Sequence, residues 1–443
     1  MDGIKLYISE NNMKAYICLD KGVKPDFKDI YAFLADKKIV YGIKSNVIKS
    51  LGENPVYDQQ VLVAQGLEPQ DGIDAMIHFK KTIEGGKPQI LENGNVDYKS
   101  LNIVKNVKKG DIIATVTDAT PGVEGRDIFG NTVKPKPGQP LKMKCGRNVV
   151  FENGAFIATI DGQLFVKDNK ISVLPVFEVK NVDMSVGNID FVGNIIVHND
   201  IYSGFEVRAE GDIEVGGNVE DSVIRSGGDI VIGRGVNGKS GAYIVAEGNL
   251  TARYLENVRV EVNKNIRCDT IMHSDVKCNG NIIVDGRRGL IAGGKVSAYE
   301  FVEAKAVGSP MSTYTEIEVG INFREQEECE VIKRDMKKVE DQIEELTKVK
   351  NHLIKKTNMT SAEREILKRT LLTLKVLIGK YDELKELLEN VIVTEHENPY
   401  ILVRETLYSG VKINIKREIL FIKDEMKHCK IINHNGNIKI LAL

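Results

Sequence analysis

The middle third of the chain repeats a short pattern in which apolar positions alternate with other residues on both sides of a glycine. The first clear copy is Ile189-x-Phe191-x-Gly193-Asn194-Ile195-x-Val197. The glycine position recurs at 211, 228, 248, 264, 280 and 294, so the copies lie 18, 17, 20, 16, 16 and 14 residues apart. Apolar residues at every second position predict short strands with one buried face. Copies of this length predict the stacked turns of a β-solenoid.

Each copy bends at its glycine and at the Asn or Asp that follows in most copies. We expect glycine to supply the positive φ of a sharp bend, and Asn or Asp to bond to nearby backbone. Asn cannot act as an acid or base, so its interchange with Asp favours a corner role over a catalytic one. The predicted structural turn ladder consists of Asp212, Asp229, Asn249, Asn265 and Asn281.

The varying length of the copies separates the types of solenoid. A left-handed hexapeptide helix needs a strict six-residue period, and leucine-rich repeats need a Leu/Asn consensus. The sequence shows neither feature. A helix with loops at its corners tolerates copies of unequal length. We therefore predict a mainly β fold with a right-handed parallel β-helix over residues 177–320.

Near residue 323 the apolar period changes to alternating steps of three and four, which is typical of a coiled-coil helix. The break at Asn358 to Ser361 divides the pattern into two helices, and we predict an antiparallel coiled-coil hairpin over 323–392. The charge runs of these helices are expected to face solvent. The predicted seam is Cys329, Ile332, Met336, Val339, Ile343, Leu346, Lys350 and Leu353, facing Leu367, Leu371, Leu374, Ile378, Tyr381, Lys385 and Leu388.

After Pro399 the strand pattern returns, and Gly436-Asn437-Ile438 reproduces the solenoid motif. The helices are therefore predicted to be an insertion, with residues 393–443 completing or capping the solenoid. Ahead of the repeat, residues 1–60 are predicted to form an α+β subdomain, and residues 61–176 a β-rich part of the same N-terminal domain. The Gly-rich stretch from Thr120 to Asn131 is either a partner-binding loop, through Glu124, Arg126 and Asp127, or a tight structural turn.

Composition narrows the function classes. The net charge of -2 gives no global case for nucleic acid, and no apolar run approaches the roughly 20 residues of a membrane span. Six cysteines without a C-x-x-C pair, and a start without a signal-peptide pattern, predict free thiols and a cytoplasmic location. The absence of Trp and the 40 glycines fit a narrow core of small side chains with many turns.

Candidate chemistry is sparse. The seven histidines do not cluster at metal-ligand spacing, and neighbours in a strand such as His273 and Ser274 point to opposite faces. The segment Asp285-Gly286-Arg287-Arg288-Gly289 lacks the phosphate-loop pattern, and is either a loop that joins two turns or an anion site. We predict no catalytic, cofactor-binding or metal-binding residues, no cofactor and no enzyme activity.

Ordered landmarks along the whole chain resemble the flagellar assembly protein A (FapA) family of bacteria. They are Tyr41-Gly42-Ile43, Gly72-Ile73-Asp74-Ala75, Val96-Asp97-Tyr98-Lys99, Gly122 through Gly130, Gly187-Asn188-Ile189-Asp190-Phe191, His273-Ser274 and Gly293-Gly294. The resemblance implies an N-terminal FapA domain, a β-solenoid, a coiled-coil hairpin, and a role in flagellar assembly or cell-pole organisation without known catalysis. Lys264 and Lys295 depart from the pattern at single corners.

Three function hypotheses follow. The first is a scaffold or adaptor that binds protein partners of flagellar, polar or regulatory kind, with a homo-oligomer left open. The second is a polymer-forming β-helix like the bactofilins, and the third is a carbohydrate-active β-helix enzyme. The sequence favours the first, because the flanking domains should obstruct stacking and no acid cluster recurs on an outer face.

Overall fold

A computed structural model describes residues 3–81, 89–90, 96–97, 99, 101, 103–239, 241–356, 360–391 and 393–443. The landmark residue Tyr98 and the first half of the predicted helix break, Asn358 and Met359, lie outside these residues. The chain divides into two compact units. The first comprises Met1–Ile83, Lys109–Ile160 and Phe165–Val173, and the second comprises Glu84–Lys108, Asp161–Leu164 and Leu174–Leu443.

The first unit combines two helices with short antiparallel sheets. Its helices are α1 (Phe27–Asp36) and α2 (Ser45–Glu53). The strands that precede the solenoid are β1 (Ile4–Ile8), β2 (Lys14–Leu19), β3 (Val61–Gln65), β4 (Met76–Phe79), β5 (Gln89–Ile90), β6 (Val96–Asp97), β7 (Asn106–Val107), β8 (Ile112–Thr117), β9 (Gly125–Arg126), β10 (Thr132–Val133), β11 (Lys144–Cys145), β12 (Val149–Glu152), β13 (Ala155–Ala158), β14 (Gly162–Lys167) and β15 (Lys170–Leu174).

The core of the first unit lies between its helices and the sheet β1-β2-β3. Apolar residues spaced four apart on α1, Ile30 and Leu34, are fully buried together with Ile17 of β2 and Ile48 of α2. The helix begins after Asp26, whose backbone N–H donates to the Asp29 carboxylate at 3.2 Å. A second antiparallel sheet has the order β12-β13-β8-β4.

The second unit contains a solenoid whose strands pair in parallel from one turn to the next. The strands up to the helices are β16 (Val176–Val179), β17 (Ile189–Phe191), β18 (Asn194–Val197), β19 (Glu206–Ala209), β20 (Ile213–Val215), β21 (Val219–Glu220), β22 (Val223–Ser226), β23 (Ile230–Ile232), β24 (Gly235–Asn237), β25 (Tyr243–Ala246), β26 (Leu250–Thr251), β27 (Tyr254–Glu256), β28 (Arg259–Val262), β29 (Ile266–Cys268), β30 (Thr270–Cys278), β31 (Ile282–Val284), β32 (Leu290–Ala298), β33 (Phe301–Val307) and β34 (Thr315–Val319).

Parallel pairing arranges these strands as three faces. Face A contains β17, β19, β22, β25, β28, β30, β32 and β34. Face B contains β16, β18, β20, β23, β26, β29, β31 and β33. Face C contains β21, β24, β27 and the first halves of β30 and β32, which bend from face C into face A.

Alternate residues of each strand fill the interior of the solenoid. Face B contributes a stack of large aliphatic side chains that includes Ile213, Ile230 and Leu250, all at most 1% exposed. The facing positions of face A hold small ones, such as Ala246 and Cys278. This pairing of large and small residues fills a narrow core, and three aromatic side chains, Phe177, Phe191 and Phe205, are buried at its first turns. The prediction of a β-solenoid is confirmed, with about eight turns, and four helices lie in the described part of the chain. The right-handed sense of the solenoid stays a prediction.

Two long helices follow β34. α3 (Phe323–Ile354) begins after Asn322, whose side chain accepts a bond from the Arg324 backbone N–H at 3.1 Å, and α4 (Ser361–Asn390) begins after Thr360. The two helices contact each other. In α3 the predicted apolar seam is the least exposed face of the helix, and Cys329 and Val339 are buried.

In α4 part of the predicted seam is wrong. Leu371, Ile378 and Lys385 are exposed, while the neighbouring residues Thr370 and Leu377 are buried and half-buried. The buried row is therefore one residue earlier at these steps. The helix carries aliphatic residues on two adjacent rows, so heptad spacing by itself leaves the register open by one residue.

The solenoid continues for one more turn after the helices. β35 (Tyr400–Leu407) pairs in parallel with β33, and β36 (Val411–Ile415) with β34. The last three strands, β37 (Glu418–Phe421), β38 (Met426–His434) and β39 (Asn437–Ala442), are antiparallel to their neighbours.

The expectation that Gly436-Asn437-Ile438 forms a solenoid corner is wrong. Asn435 and Gly436 have φ of 55° and 76° and connect β38 to β39 as a two-residue hairpin turn. An Asn-Gly pair with positive φ at both residues is the preferred sequence for such a turn. Alternating apolar residues around a Gly-Asx pair occur both at a solenoid corner and beside a hairpin turn. The pattern therefore could not distinguish the two.

We predict that the thiols differ sharply in reactivity. All six cysteines are free, and Cys145 is exposed, Cys18 is half-buried, and Cys268, Cys278, Cys329 and Cys429 are buried. Burial raises the pKa of Cys278 to about 12, so its reactive thiolate is scarce in the folded protein. Ellman's reagent should label Cys145 rapidly in native protein and the four buried thiols only in guanidinium. Cys145→Ser should remove the fast phase, and rapid labelling of four or more native thiols would contradict the described core.

Candidate interaction surfaces

The predicted turn-ladder residues lie in one line at the corner between faces A and B. In the first four of them, the Oδ1 atom accepts a hydrogen bond from the backbone N–H of the next ladder residue, one turn further along. The bonds run from Asp229 N to Asp212 Oδ1 (2.8 Å), Asn249 N to Asp229 Oδ1 (2.7 Å), Asn265 N to Asn249 Oδ1 (3.2 Å) and Asn281 N to Asn265 Oδ1 (3.1 Å). Asn194 starts the same series by accepting from Asp212 N at 2.9 Å.

The glycine before each ladder residue has a different role from the one expected. Gly211, Gly228 and Gly248 do not have positive φ. A Cβ atom at Gly228 would lie 2.1 Å from Asp212 Oδ1, and one at Gly248 would lie 2.0 Å from Asp229 Oδ1. The glycines are therefore needed for the close approach of the preceding side chain. Where Lys264 replaces glycine, the bond to Asn249 is the longest of the series.

The loop in the first unit separates into two kinds of residue. Asp127 is buried, and its carboxylate accepts bonds from the backbone N–H of Phe129 (2.9 Å) and of Asn131 (2.8 Å). These contacts favour the structural-turn interpretation for Asp127. Glu124 and Arg126 are exposed, so their assignment to a partner-binding loop stays a prediction.

Sequence reasoning missed a charged patch on the outer side of face A. In consecutive turns the register aligns Arg259, Asp275, Lys295, Glu316 and Lys412, so that the sign of the charge alternates. Lys412 Nζ lies 3.2 Å from the Glu316 carboxylate. Opposite charges on neighbouring strands stabilise a sheet. The signal in the sequence was a charged residue directly before an inward apolar residue of each face A strand, but these positions are 16 to 96 residues apart.

The start of α3 lies against this charged patch, with Arg259 of the patch 3.9 Å from the Glu327 carboxylate. Beside the patch, Lys277 Nζ bonds to the same Glu327 carboxylate, and Arg324 pairs with Glu247 of the solenoid at 2.8 Å. Glu325 also accepts bonds from Thr394 N and Oγ1 at 2.6 and 2.7 Å. The expectation that the first charge run of the helix only faces solvent is therefore wrong. These acids fix the base of α3 to the solenoid.

No geometry for catalysis is evident among the described residues. His273 is exposed, whereas Ser274 is buried and its hydroxyl donates to the Met272 carbonyl at 2.7 Å. The described ranges hold no group of three His, Cys, Asp or Glu side chains placed to bind a metal ion. Within the same ranges, none of the helices has the length and apolar character of a membrane span.

Two family models match the chain. The model described as Flagellar Assembly Protein A N-terminal region matches residues 4–169, and the model described as Flagellar Assembly Protein A beta solenoid domain matches residues 175–438. Together they span nearly the whole chain. No curated protein and no solved structure matches it.

We predict that the oxygen of the ladder residue matters and its charge does not. Asp229→Ala removes the acceptor for Asn249 N and should lower the free energy of unfolding by about 1 kcal/mol. Asp229→Asn keeps the acceptor and should cost less than half as much. Urea unfolding followed by circular dichroism measures both. An Asn variant as unstable as the Ala variant would contradict the proposed role.

The charged patch should make stability depend on pH in the acid range. Burial raises the pKa of Glu316, but the hydrogen bonds from Tyr314 and Lys412 and the charge of Lys295 outweigh it and hold the pKa below the usual 4.5. The stability from this carboxylate is therefore present above pH 4.5 and lost as the pH falls through the lowered pKa. Glu316→Gln should cost about 1–3 kcal/mol at neutral pH and progressively less in acid.

Urea titrations at several pH values test this dependence. The control is Glu344→Gln, which removes an exposed pair with Lys348 on α3 and should leave the unfolding midpoint nearly unchanged. A Glu316→Gln deficit that is equal at pH 3 and pH 7 would show that the carboxylate charge does not contribute.

Proposed function

Because the chain belongs to the Flagellar Assembly Protein A family, we propose that it is a non-catalytic scaffold or adaptor that organises flagellar or cell-pole assembly through contacts with other proteins. The proposal keeps the five segments predicted from the sequence. They are the α+β subdomain 1–60, the β-rich segment 61–176, the solenoid 177–320, the helical hairpin 323–392 and the C-terminal strands 393–443. A cytoplasmic location is part of it, supported by the six free cysteines.

In this proposal α3 and α4 form an antiparallel coiled-coil hairpin that reaches away from the solenoid. A helix of about 30 residues is roughly 45 Å long. Two observations support the arrangement. The helices contact each other, and the base of α3 is fixed to the solenoid through Glu327 and Arg324. A fixed base and a long arm suit a protein that holds a partner at a distance.

The observation that carries the proposal is the apolar side of α4 that α3 leaves uncovered. Leu372 and Val376 are 59% and 70% exposed, and Ile366 and Leu387 are also exposed. Residues four apart share one helix face, so Leu372 and Val376 are neighbours. Exposed aliphatic side chains on a helix face are suited to the apolar surface of another protein. We assign the main partner contact to this face.

The first unit offers a second contact surface in the same proposal. Val123 and Leu67 are 60% and 54% exposed on two neighbouring loop segments. The segments are joined by antiparallel bridges between Leu67 and Arg126 and between Gln70 and Val123. Glu124 and Arg126 are at the same place and would add charge recognition to an apolar contact. The two surfaces belong to different units, as an adaptor for two partners requires.

The polymer hypothesis finds less support. End-to-end stacking of solenoids needs open strands on the terminal turn. Here β36 is covered by the antiparallel strand β37, and β35 by β38. The carbohydrate-enzyme hypothesis finds little support either, since the recurring acids Asp212 and Asp229 each accept a backbone hydrogen bond at a corner.

We predict that the exposed face of α4 is needed for flagellar assembly. The test replaces the bacterium's own copy with the double variant Leu372→Glu/Val376→Glu. Glutamate is chosen because an acidic residue is costly to bury in an apolar contact. Electron microscopy should then show fewer or misplaced flagella, as in a strain without the protein. The matched control is Lys385→Glu, an exposed residue on the opposite side of α4.

Two outcomes would contradict the proposal. Normal flagella in the strain without the protein would remove the flagellar role. Normal flagella in the double variant, with a defect in the control, would move the contact to another face of the helix. Affinity purification of the full-length protein with each variant would show whether partners are lost in parallel.

A further inference from the structure

A groove with an excess of arginines runs along face C of the solenoid. It has a volume of about 450 Å³ and is lined by Arg234, Arg253 and Arg288, by the acids Glu256 and Asp269, and by Tyr254. The volume falls in the range of small-molecule sites. Neither the turn ladder nor the charged patch of face A includes these residues.

The three arginines come together because of the register of the turns. Gly235 pairs with Tyr254, so the preceding residues Arg234 and Arg253 are opposite each other, and Arg253 N donates to the Arg234 carbonyl at 2.6 Å. Adjacent strands are about 4.8 Å apart. Two guanidinium groups therefore start from backbone positions only one strand spacing apart.

The third arginine is positioned by an aspartate at the same corner. Asp269 follows Arg253 in the register, and its Oδ1 atom accepts bonds from the backbone N–H of Arg288 (2.8 Å) and Gly289 (3.2 Å). The carboxylate thereby holds the loop that contains Arg288. This loop is the Asp285–Gly289 segment, for which the sequence left an anion site and a loop joining two turns as alternatives.

The guanidinium groups have no acidic partner of their own. In the ranges that the structure describes, Arg234, Arg253 and Arg288 form no ion pair, whereas their neighbour Arg267 pairs with Asp285 at 2.7 Å. All three are exposed. Unpaired arginines at one strand spacing offer several N–H donors to a single anion, and bidentate bonds to phosphate are the strongest that Arg makes.

The floor of the groove is flat and partly apolar. Gly235 has no side chain, and the Tyr254 ring occupies the place where a Cβ would be, 2.6 Å from the ring carbons. The Tyr254 hydroxyl is held by Asn218 Oδ1 at 2.9 Å. This leaves a fixed aromatic ring beside the arginines, against which a ligand larger than phosphate can pack.

We propose that this groove binds a phosphate-bearing small anion, with Arg234, Arg253 and Arg288 donating to the phosphoryl oxygens. The inference goes beyond the scaffold role and does not depend on it. The groove residues are distinct from those assigned to protein partners on α4 and in the first unit.

Isothermal titration calorimetry of the full-length protein tests the proposal with two probes, inorganic pyrophosphate and adenosine diphosphate. Arg253→Gln should weaken the binding of both by about tenfold or more, because one charged donor is lost. The matched control is Arg287→Gln, next to Arg288 but outside the groove, with affinity unchanged. Binding should also weaken with added salt, as expected for an exposed cationic site.

The two probes separate free phosphate from phosphate carried by a nucleotide. Equal affinities would show that the site recognises only the phosphoryl groups. Tighter binding of adenosine diphosphate would show that the nucleoside also contacts the groove, at the Tyr254 ring. Three results would overturn the proposal: no binding of either probe at millimolar concentration, equal losses in Arg253→Gln and Arg287→Gln, or binding of an oligoglutamate peptide without binding of the phosphate probes. Thermal unfolding of each variant confirms that the exposed substitutions leave the fold intact.

Discussion

Each corner of the solenoid depends on the corner before it. A corner interrupts the backbone hydrogen bonds that join one turn to the next, and a backbone N–H left unpaired there is costly when it is removed from water. Here the side-chain oxygen of the preceding turn accepts that N–H, as Asp229 does for Asn249 at 2.7 Å. The acceptor stands so close to the next glycine that no Cβ can be added there. Hydrogen bonding and close packing therefore impose the same two-residue motif.

This corner also explains why the outer surface is free to diversify. The inward side chains must fill a narrow core, and each corner side chain must accept the backbone N–H of the next turn. The outward side chains are under neither constraint. Face A uses this freedom for alternating charges, one of which, Arg259, pairs with Glu327 at the base of α3. Face C uses it for three arginines that form no ion pair within the described part of the chain. The same backbone thus presents different chemistry on different sides.

The sequence predicts those features whose determinants are local. Alternation of apolar residues indicated the strands, and the Gly-Asx pair indicated the corners, because each lies within nine residues in the copy Ile189 to Val197. The glycine role was misjudged, since positive φ is a property of one residue whereas the close approach at Gly248 involves Asp229, which lies in the preceding turn. The Gly-Asx pattern at Gly436 fits both a solenoid corner and a hairpin, and the apolar spacing of α4 fits two seams one residue apart. In both cases tertiary packing selects the structure.

The outer sites could not be predicted for a related reason. The turns differ in length, so residues that share a row on the surface have no constant spacing in the sequence. Arg234 and Arg253 are 19 residues apart, while Lys295 and Lys412 of the charged patch flank an inserted pair of helices. Only the strand register aligns them, and the register follows from the inward side chains and the corner bonds. The surface chemistry of a solenoid is therefore fixed by its interior packing, although none of the residues involved is part of that interior.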